Sequence, residues 1–496
     1  MSHSMETWKY RAASLKIEPR AFIDGGYCFA ADGQTFDCIS PIDGSTLTQV
    51  ARCGIADVEK AVSAARRSFE EGVWAGKSSR ERKAILLKWA KLIAEHREEI
   101  ALLETLDSGK PIADTLGADL PNVLYCLEWY AEAIDKRNDE CVPCGDDFLA
   151  LVTREPMGVV AAIVPWNYPL LMAAWKFSPA LAVGNSVIVK PSERSPLTAI
   201  RVAALAKEAG IPDGVFNILP GMGDVGAALS SHGDVDCVAF TGSGPTGRRI
   251  MKAAADSNLK RVWLELGGKS PNIIMADCPD LDRAAQSAAF GIFGNMGEVC
   301  SAGSRLLVHS SVRNQIVKAI AAAAKNFLPG HPLDPKTTMG ALIDQAHLER
   351  VLSYIEAGTK EAALLVGGNS SKVCEGGFYV EPTVFFDKNR DSRVGREEVF
   401  GPVLTIVEFE TEAEALALAN SSEYGLAAAV WTADAAVAHR MARRLKAGTV
   451  WVNCYDELVD MNFPFGGFKQ SGNGRDLSLH AFDKYTELKT TLKRLT

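Results

Sequence analysis

Val159-Val160-Ala161-Ala162-Ile163-Val164-Pro165-Trp166-Asn167-Tyr168-Pro169 opens with six apolar residues and then breaks. The run is too short for a helix and shows no polar alternation, so it reads as a strand covered on both faces. Similar short runs follow at 186–189, 215–219, 237–240 and 261–264, with helical stretches between most of them. Strand alternating with helix predicts a parallel sheet with crossover helices. Each run ends at a distinct loop: Trp166-Asn167, Lys190 to Glu193, Gly221-Met222-Gly223, Thr241-Gly242-Ser243, and Glu265 at the fifth. Ligands of open parallel sheets bind beyond the carboxyl ends of the strands, so this spacing sets all five loops on one rim.

Outward from this unit, residues 276–465 repeat the alternation, with strands expected at 306–309, 364–366, 383–386, 404–409, 427–431 and 449–453. The fold class is therefore α/β, with two Rossmann-like parallel-sheet units. Residues 1–56 read as short strands and turns, with a hairpin at Phe22-Ile23-Asp24-Gly25-Gly26-Tyr27. Helices are expected over 57–69, from Ser78 or Ser79 to about 103, and from about 120 to 135. Residues 136–150 read as a polar excursion from the globule, and the tail after Gly474 as a short helix and a strand at 486–492.

The length of 496 residues suggests about three domains. A net charge of -8 argues against a nucleic-acid footprint. No apolar run of membrane-spanning length occurs and Met1 to Lys16 has no apolar signal core, so no membrane partner is expected and the location is read as cytoplasmic. Eleven cysteines at irregular spacing fit reduced thiols. Cys141-Val142-Pro143-Cys144 has no second pair and no His at ligand spacing, so it reads as structural, and no metal site is expected.

Chemistry concentrates in Phe293-Gly294-Asn295-Met296-Gly297-Glu298-Val299-Cys300-Ser301-Ala302-Gly303-Ser304-Arg305. Small residues around Cys300 leave room for a substrate, and a thiol becomes a strong nucleophile on losing one proton. A lone cysteine is as readily inert packing. Trp263-Leu264-Glu265-Leu266-Gly267-Gly268-Lys269-Ser270 upstream supplies a carboxylate and Gly-rich backbone, the other parts of a base, nucleophile and anion pocket. Two GxGxxG matches, Gly221 to Gly226 and Gly242 to Gly247, both follow a strand and precede a helix, and the pattern does not choose between them.

These strings, with Lys190-Pro191-Ser192-Glu193, Glu397-Glu398-Val399-Phe400-Gly401-Pro402 and Pro464-Phe465-Gly466-Gly467, resemble the aldehyde dehydrogenase superfamily in order and spacing, over nearly the whole chain. The resemblance implies a catalytic set of Cys300 as nucleophile, Asn167 as oxyanion donor, Glu265 as base and Lys176 as its supporting partner. It implies NAD or NADP as cofactor, with pyrophosphate near Thr241, Gly242 and Ser243 at a helix start. Lys190 and Glu193 then face the adenine ribose, where a carboxylate favours NAD. Further cofactor contacts are implied at Val164, Pro165, Trp166 and Ser192, at Gly223, Phe240 and Leu266, and at Glu398 and Phe400 near the nicotinamide. The implied domains are 1–135 with 152–264 for NAD, 265–465 for catalysis, and 136–151 with 475–496 as a small β element that builds a homo-oligomer, dimer or tetramer. The family commonly has Gln where Met296 stands, which puts loop polarity and pocket shape in question.

Within the family, Trp129 to Lys136, Arg261 to Glu265 and Lys469 to Asp476 are most similar to bacterial dehydrogenases of polyamine breakdown. The expected partner is a small aldehyde carrying an ω-amino or guanidino group, received by Asp119, Tyr168, Met172, Trp175, Ser301 and Phe465. Trp166 and Phe463 add to an aromatic tunnel suited to methylenes and a cation. Asn122 replaces a second acid of those relatives, and the loop Asp456-Glu457-Leu458-Val459-Asp460 adds acids near the mouth. A general or betaine-type aldehyde dehydrogenase, a coenzyme A-acylating enzyme, a cofactor-free cysteine hydrolase and a catalytically silent relative are the alternatives. Glu265 argues against acylation of coenzyme A, and no His sits in a loop suited to a hydrolase.

Overall fold

A computed structural model describes residues 3–495. Five parallel strands form the centre of an eight-stranded sheet in the order Phe216–Ile218, Ser186–Lys190, Val159–Ile163, Cys237–Thr241, Arg261–Glu265. The chain winds one way from Val159–Ile163 and the other way from Cys237–Thr241, so the order reverses between these two neighbours. Their outgoing loops, Pro165-Trp166-Asn167 and Thr241-Gly242-Ser243, part at that switch point and open the crevice where such sheets bind ligands. The expected hairpin, Ala21–Ile23 with Gly26–Cys28, extends one edge, and Gly472–Asn473 closes the other beside Leu264 and Glu265.

Both faces of this sheet are covered, which is why its strands carry no polar alternation. Val160, Ala162, Val187 and Val189 pack into one core with Trp89 and Phe177. Val159, Ala161, Ile163, Ile188 and Phe240 pack into another on the opposite face.

The second sheet has seven strands, in the order Ala363–Val366, Thr383–Phe386, Val403–Phe409, Arg305–His309, Pro271–Ile274, Ala427–Trp431, Thr449–Val452. All neighbours are parallel except the first pair. Its strand Pro271–Ile274 was not expected. It is short and begins Pro-Asn, and Pro is tolerated at the first position of a strand because no donor is needed there.

Two helical expectations are corrected and a third gains a preceding turn. Met5–Ser14 is a helix capped by Ser4, where only strands and turns were read. The helix expected from 78 to 103 is two: Ser79–Glu95, entered by the Ser78/Glu81 capping box, and Arg97–Ser108, parted at His96. The helix Leu120–Ala133 is preceded by a π-turn, Thr115–Asp119.

The excursion and the tail meet in a three-stranded antiparallel sheet of Thr486–Arg494, Phe148–Pro156 and Glu140–Val142. The middle strand runs to Pro156, past the expected boundary at 151. Leu488 and Leu492 are exposed on the strand Thr486–Arg494. Among the described residues no helix is long and apolar enough to cross a membrane.

Candidate active site

The helix Leu281–Phe293 lines the cavity with its last turn and delivers the thiol through a tight turn that follows it. Asn295 and Met296 both take left-handed backbone, at φ 46° and 54°. Gly297 follows at φ 72°, and a Cβ there would meet the Gly401 carbonyl at 2.2 Å. The turn is pinned by side chains. Asn295 Nδ2 donates to the carbonyls of Asn167 (3.1 Å) and Glu298 (3.2 Å), and Asn167 Nδ2 donates to the Glu298 carbonyl at 2.7 Å. An amide NH2 carries two hydrogens, so one on Asn167 is fixed by this bond and the other remains for a ligand. Beyond Cys300, Tyr455 OH donates to the Ser301 carbonyl at 2.5 Å. Gly268 lies so close that a Cβ would meet the Cys300 carbonyl at 2.4 Å, which explains the second glycine after Glu265.

Cys300 is half-buried at the cavity wall. Burial, then the charges of Glu265 and Glu398, push its thiol well above the usual range, while the Ser301 backbone N–H favours the thiolate. The resting thiol is therefore held protonated and loses its proton as it attacks. Glu265 is 4% exposed, the last residue of its strand, and lines the same cavity. Burial, then Asp476, push its carboxyl up to about 8, against Lys176, Lys484 and Arg475. Its Oε1 has no hydrogen-bond partner among the described residues. Lys176 does not touch Glu265: its ammonium pairs with Asp476 Oδ2, so it acts on the base only through charge.

Cys300, Glu265, Asn167 and Ser301 share one cavity of about 870 Å³ with Pro165, Trp166, Thr241, Gly242, Ser243, Leu266, Glu398 and Phe400. Trp166, Phe400 and His347 form an aromatic wall, with ring centres 5.1–6.2 Å apart. His347 Nε2 donates to the Phe400 carbonyl at 2.7 Å and so holds Phe400 in a left-handed conformation, φ 62°. Burial lowers the His347 pKa to about 4, leaving a neutral ring. Glu398 Oε1 accepts from the Gly268 N–H at 2.9 Å, and its carboxylate lies where a Cβ on Gly267 would stand, 2.3 Å away.

Lys190, Ser192, Glu193 and Gly223 lie outside the enclosed cavity, on the open continuation of the rim. Lys190 is buried, with Nζ donating to the Pro191 carbonyl (3.0 Å) and Glu193 Oε2 (3.3 Å). Val164 and Phe240 are core residues at the strand ends. These surroundings fit a dinucleotide. The helix Gly244–Ala255 starts without a side-chain cap, leaving backbone N–H groups free for phosphate, whereas at the start of Gly223–Ser231 Asp224 Oδ1 accepts from the Val225 N–H at 3.0 Å. A Cβ on Gly223 would meet nothing within 4 Å, and the buried Thr241 hydroxyl has no partner among the described residues.

The remaining wall is a tunnel of Tyr168, Met172, Trp175, Phe463 and Phe465, with Asp119 and Asn122. Trp175 and Phe465 meet edge to face at 5.3 Å. Lys110, not expected from sequence, also lines it. Its ammonium pairs with Asp119 and lies 3.6 Å from the Tyr168 ring centre. Asp119 is thus already matched to an internal cation. Asp114 and Asp456 also face the tunnel and have no ion-pair partner among the described residues. Burial pushes Asp114 up to about 6 and raises Asp456 as well. Met296 turns away from the cavity: it is 1% exposed and packs with Met339, Leu342 and Phe378. The worry over its polarity is answered, because an apolar core needs no amide.

Geometry and sequence agree on the class. The profile of the aldehyde dehydrogenase family matches residues 29–491. The chain is 53% identical over 489 residues, 98% of each protein, to the NADP/NAD-dependent aldehyde dehydrogenase PuuC of Escherichia coli (strain K12). The crystal structure of gamma-glutamyl-gamma-aminobutyraldehyde dehydrogenase from Burkholderia cenocepacia J2315 matches with TM-score 0.98 and 62% identity, over 100% of both chains. An indole-3-acetaldehyde dehydrogenase of P. syringae, solved with NAD+, matches with TM-score 0.98 and 56% identity, also over 100% of both. The chain belongs to the aldehyde dehydrogenase family. Its reaction is the family's, oxidation of an aldehyde with a nicotinamide dinucleotide.

Proposed function

We propose that this aldehyde dehydrogenase oxidises ω-amino or guanidino aldehydes of about four carbons to the acids, with NAD preferred and NADP accepted. The observation that carries the substrate reading is the pair Asp114 and Asp456, carboxylates without ion-pair partners on an aromatic tunnel wall. The basic groups on the same wall are neutralised or peripheral: Lys110 is held by Asp119, and Arg350 and Lys336 are exposed. A substrate cation therefore meets charge and π-faces, and a substrate carboxylate meets repulsion.

In the chemistry proposed, Cys300 releases its proton to solvent water and the thiolate attacks the carbonyl carbon. The free N–H of Asn167 and the Cys300 backbone N–H hold the oxygen of the thiohemiacetal. The dinucleotide, when bound, supplies the hydride acceptor. Trp166, Phe400 and Glu398 orient its nicotinamide end, and Lys190, Ser192 and Glu193 its adenosine end. Loss of hydride leaves a thioester on Cys300. Glu265 then takes a proton from water, hydroxide adds to the thioester carbon, and the acid leaves with Cys300 restored. Residues 1–135 with 152–264 carry the cofactor and 265–465 the catalysis. The small sheet, with Leu488 and Leu492 exposed, joins copies into a homo-oligomer in the cytoplasm.

The test is kcat/KM for 4-aminobutyraldehyde and 4-guanidinobutyraldehyde against succinic semialdehyde, with indole-3-acetaldehyde as the aromatic competitor. Succinic semialdehyde equal to or better than the amines refutes the cation reading. Indole-3-acetaldehyde as the best of the four makes the aromatic wall, not the acids, the selecting feature.

A further inference from the structure

The base is backed by more charge than one lysine. The segment Gly472–Asn473 runs beside the end of the catalytic strand, with Gly472 opposite Glu265. Soon after it, Asp476 is buried at 3% exposure, and each of its carboxylate oxygens meets a different ammonium: Oδ2 that of Lys176, Oδ1 that of Lys484. Both lysines are buried. Lys176 comes from the helix Pro169–Ala182, and Lys484 ends the 3-10 turn Leu479–Lys484. Lys484 is held in place from two sides. Its carbonyl accepts from Trp263 Nε1 at 2.7 Å, on the strand that carries the base, and its ammonium lies 5.3 Å from the Tyr485 ring centre.

One carboxylate cannot neutralise two ammoniums. Glu265 is the nearby acid without a hydrogen-bond partner on Oε1, and both lysines act on it electrostatically. With Glu265 ionised, the set Glu265, Asp476, Lys176 and Lys484 sums to zero. With Glu265 protonated, it carries one buried positive charge, which is costly in a low-dielectric interior. Burial, opposed by Asp476 and reinforced by Lys176, lowers the Lys484 pKa from its ordinary value, and the ion pair with Asp476 keeps it an ammonium. The remaining groups near the base leave the preference for ionised Glu265 in place. Arg475 is bonded to the Gly467 and Gly474 carbonyls and favours the ionised base too, while the Cys300 thiol is neutral. Asp476 itself stays charged: burial opposes its ionisation, but the two ammoniums hold it below its ordinary value.

We propose that Lys484 is a positioning residue for the base: it fixes the second oxygen of Asp476 and supplies the charge that makes ionised Glu265 the neutral state of the buried cluster. This rests on Glu265 being the deacylation base. Deacylation then rises with pH as Glu265 ionises, and loss of the Lys484 charge moves that rise toward alkaline pH.

The experiment compares wild type, Lys484→Met and Lys484→Arg by stopped-flow NADH formation with NAD and 4-aminobutyraldehyde across pH. The fast first turnover and the slower steady rate are followed separately. For Lys484→Met the rising limb of the steady rate moves up by about one pH unit, a roughly tenfold loss on that limb. The first turnover changes little, and Lys484→Arg restores the limb. Should Lys484→Met not fold, Lys484→Gln keeps a donor for Asp476 and removes only the charge, with the same shift expected. An unmoved limb in the folded neutral variant overturns the proposal, as does an equal shift in Lys484→Arg. A Glu265→Gln enzyme that shows no NADH burst would instead overturn the base assignment, so the two failures are distinct.

Discussion

Replacing Asp456 by Asn tests the substrate reading at its centre. The substitution is nearly isosteric, and it suits the backbone, since Asp456 sits at φ 51°, a left-handed region that Asn tolerates as Asp does. It removes one of the two tunnel acids without an ion-pair partner, leaving Asp114, while Asp119 is neutralised by Lys110. Two unit charges at about 4 Å interact by about 4 kcal/mol at an effective dielectric of 20. Asp456 is only partly shielded from solvent, so most of that is offset by desolvation of both ions. A hydrogen bond to a charged group retains about 1.5–3 kcal/mol net, which corresponds to a loss of about 10- to 150-fold in kcat/KM. The assay is NADH formation with 4-aminobutyraldehyde and, as the uncharged control of equal length, pentanal. The amine substrate should lose that factor while pentanal changes by less than about threefold, because only the cation sees the charge. Equal losses on both would mean that Asp456 shapes the tunnel, and no loss on either would remove it from recognition altogether.

Glu265→Gln should leave the first hydride transfer faster than the steady rate, giving an NADH burst near one per site in stopped flow, because the thioester accumulates when water is not activated. Its absence would argue against the base role. Glu193→Ala should raise the NADP-to-NAD ratio of kcat/KM, by removing both an acceptor for the ribose and a charge that repels a 2′-phosphate; an unchanged ratio would separate Glu193 from the cofactor. Met296→Gln should lower thermal stability at little cost to kcat, since an amide buried without partners in the Met339–Phe378 core costs about 1–3 kcal/mol. A loss of activity at unchanged Tm would place Met296 in the site after all.

Much of the scaffold is written locally. The runs at 159–164 and 237–240 are apolar on every residue because both faces of the sheet are covered, and such runs are visible without any partner. Loops at their ends, among them Asn167 and Thr241 to Ser243, follow from the same pattern, as does Glu265 at the end of the fifth run. The turn before Cys300 is only partly local: Gly297 marks it by its positive φ, whereas the left-handed Asn295 and Met296 carry no such signal. What sequence could not supply is which side chain meets which across the chain. Lys110 meets Asp119 and Tyr168, and thereby takes from Asp119 the role its position suggested. Lys176 is brought from 300 residues away to meet Asp476, which Lys484 reaches from the same segment eight residues on. Met296 lies four residues from the nucleophile yet turns into the core, because the left-handed turn at Asn295 and Met296 reverses the direction of its side chain. Periodicity and motif report each residue's own backbone and exposure. Ion pairs and pocket walls are set by the packing of segments far apart in sequence, so the charge state of the tunnel and of the base was decided only by the tertiary structure.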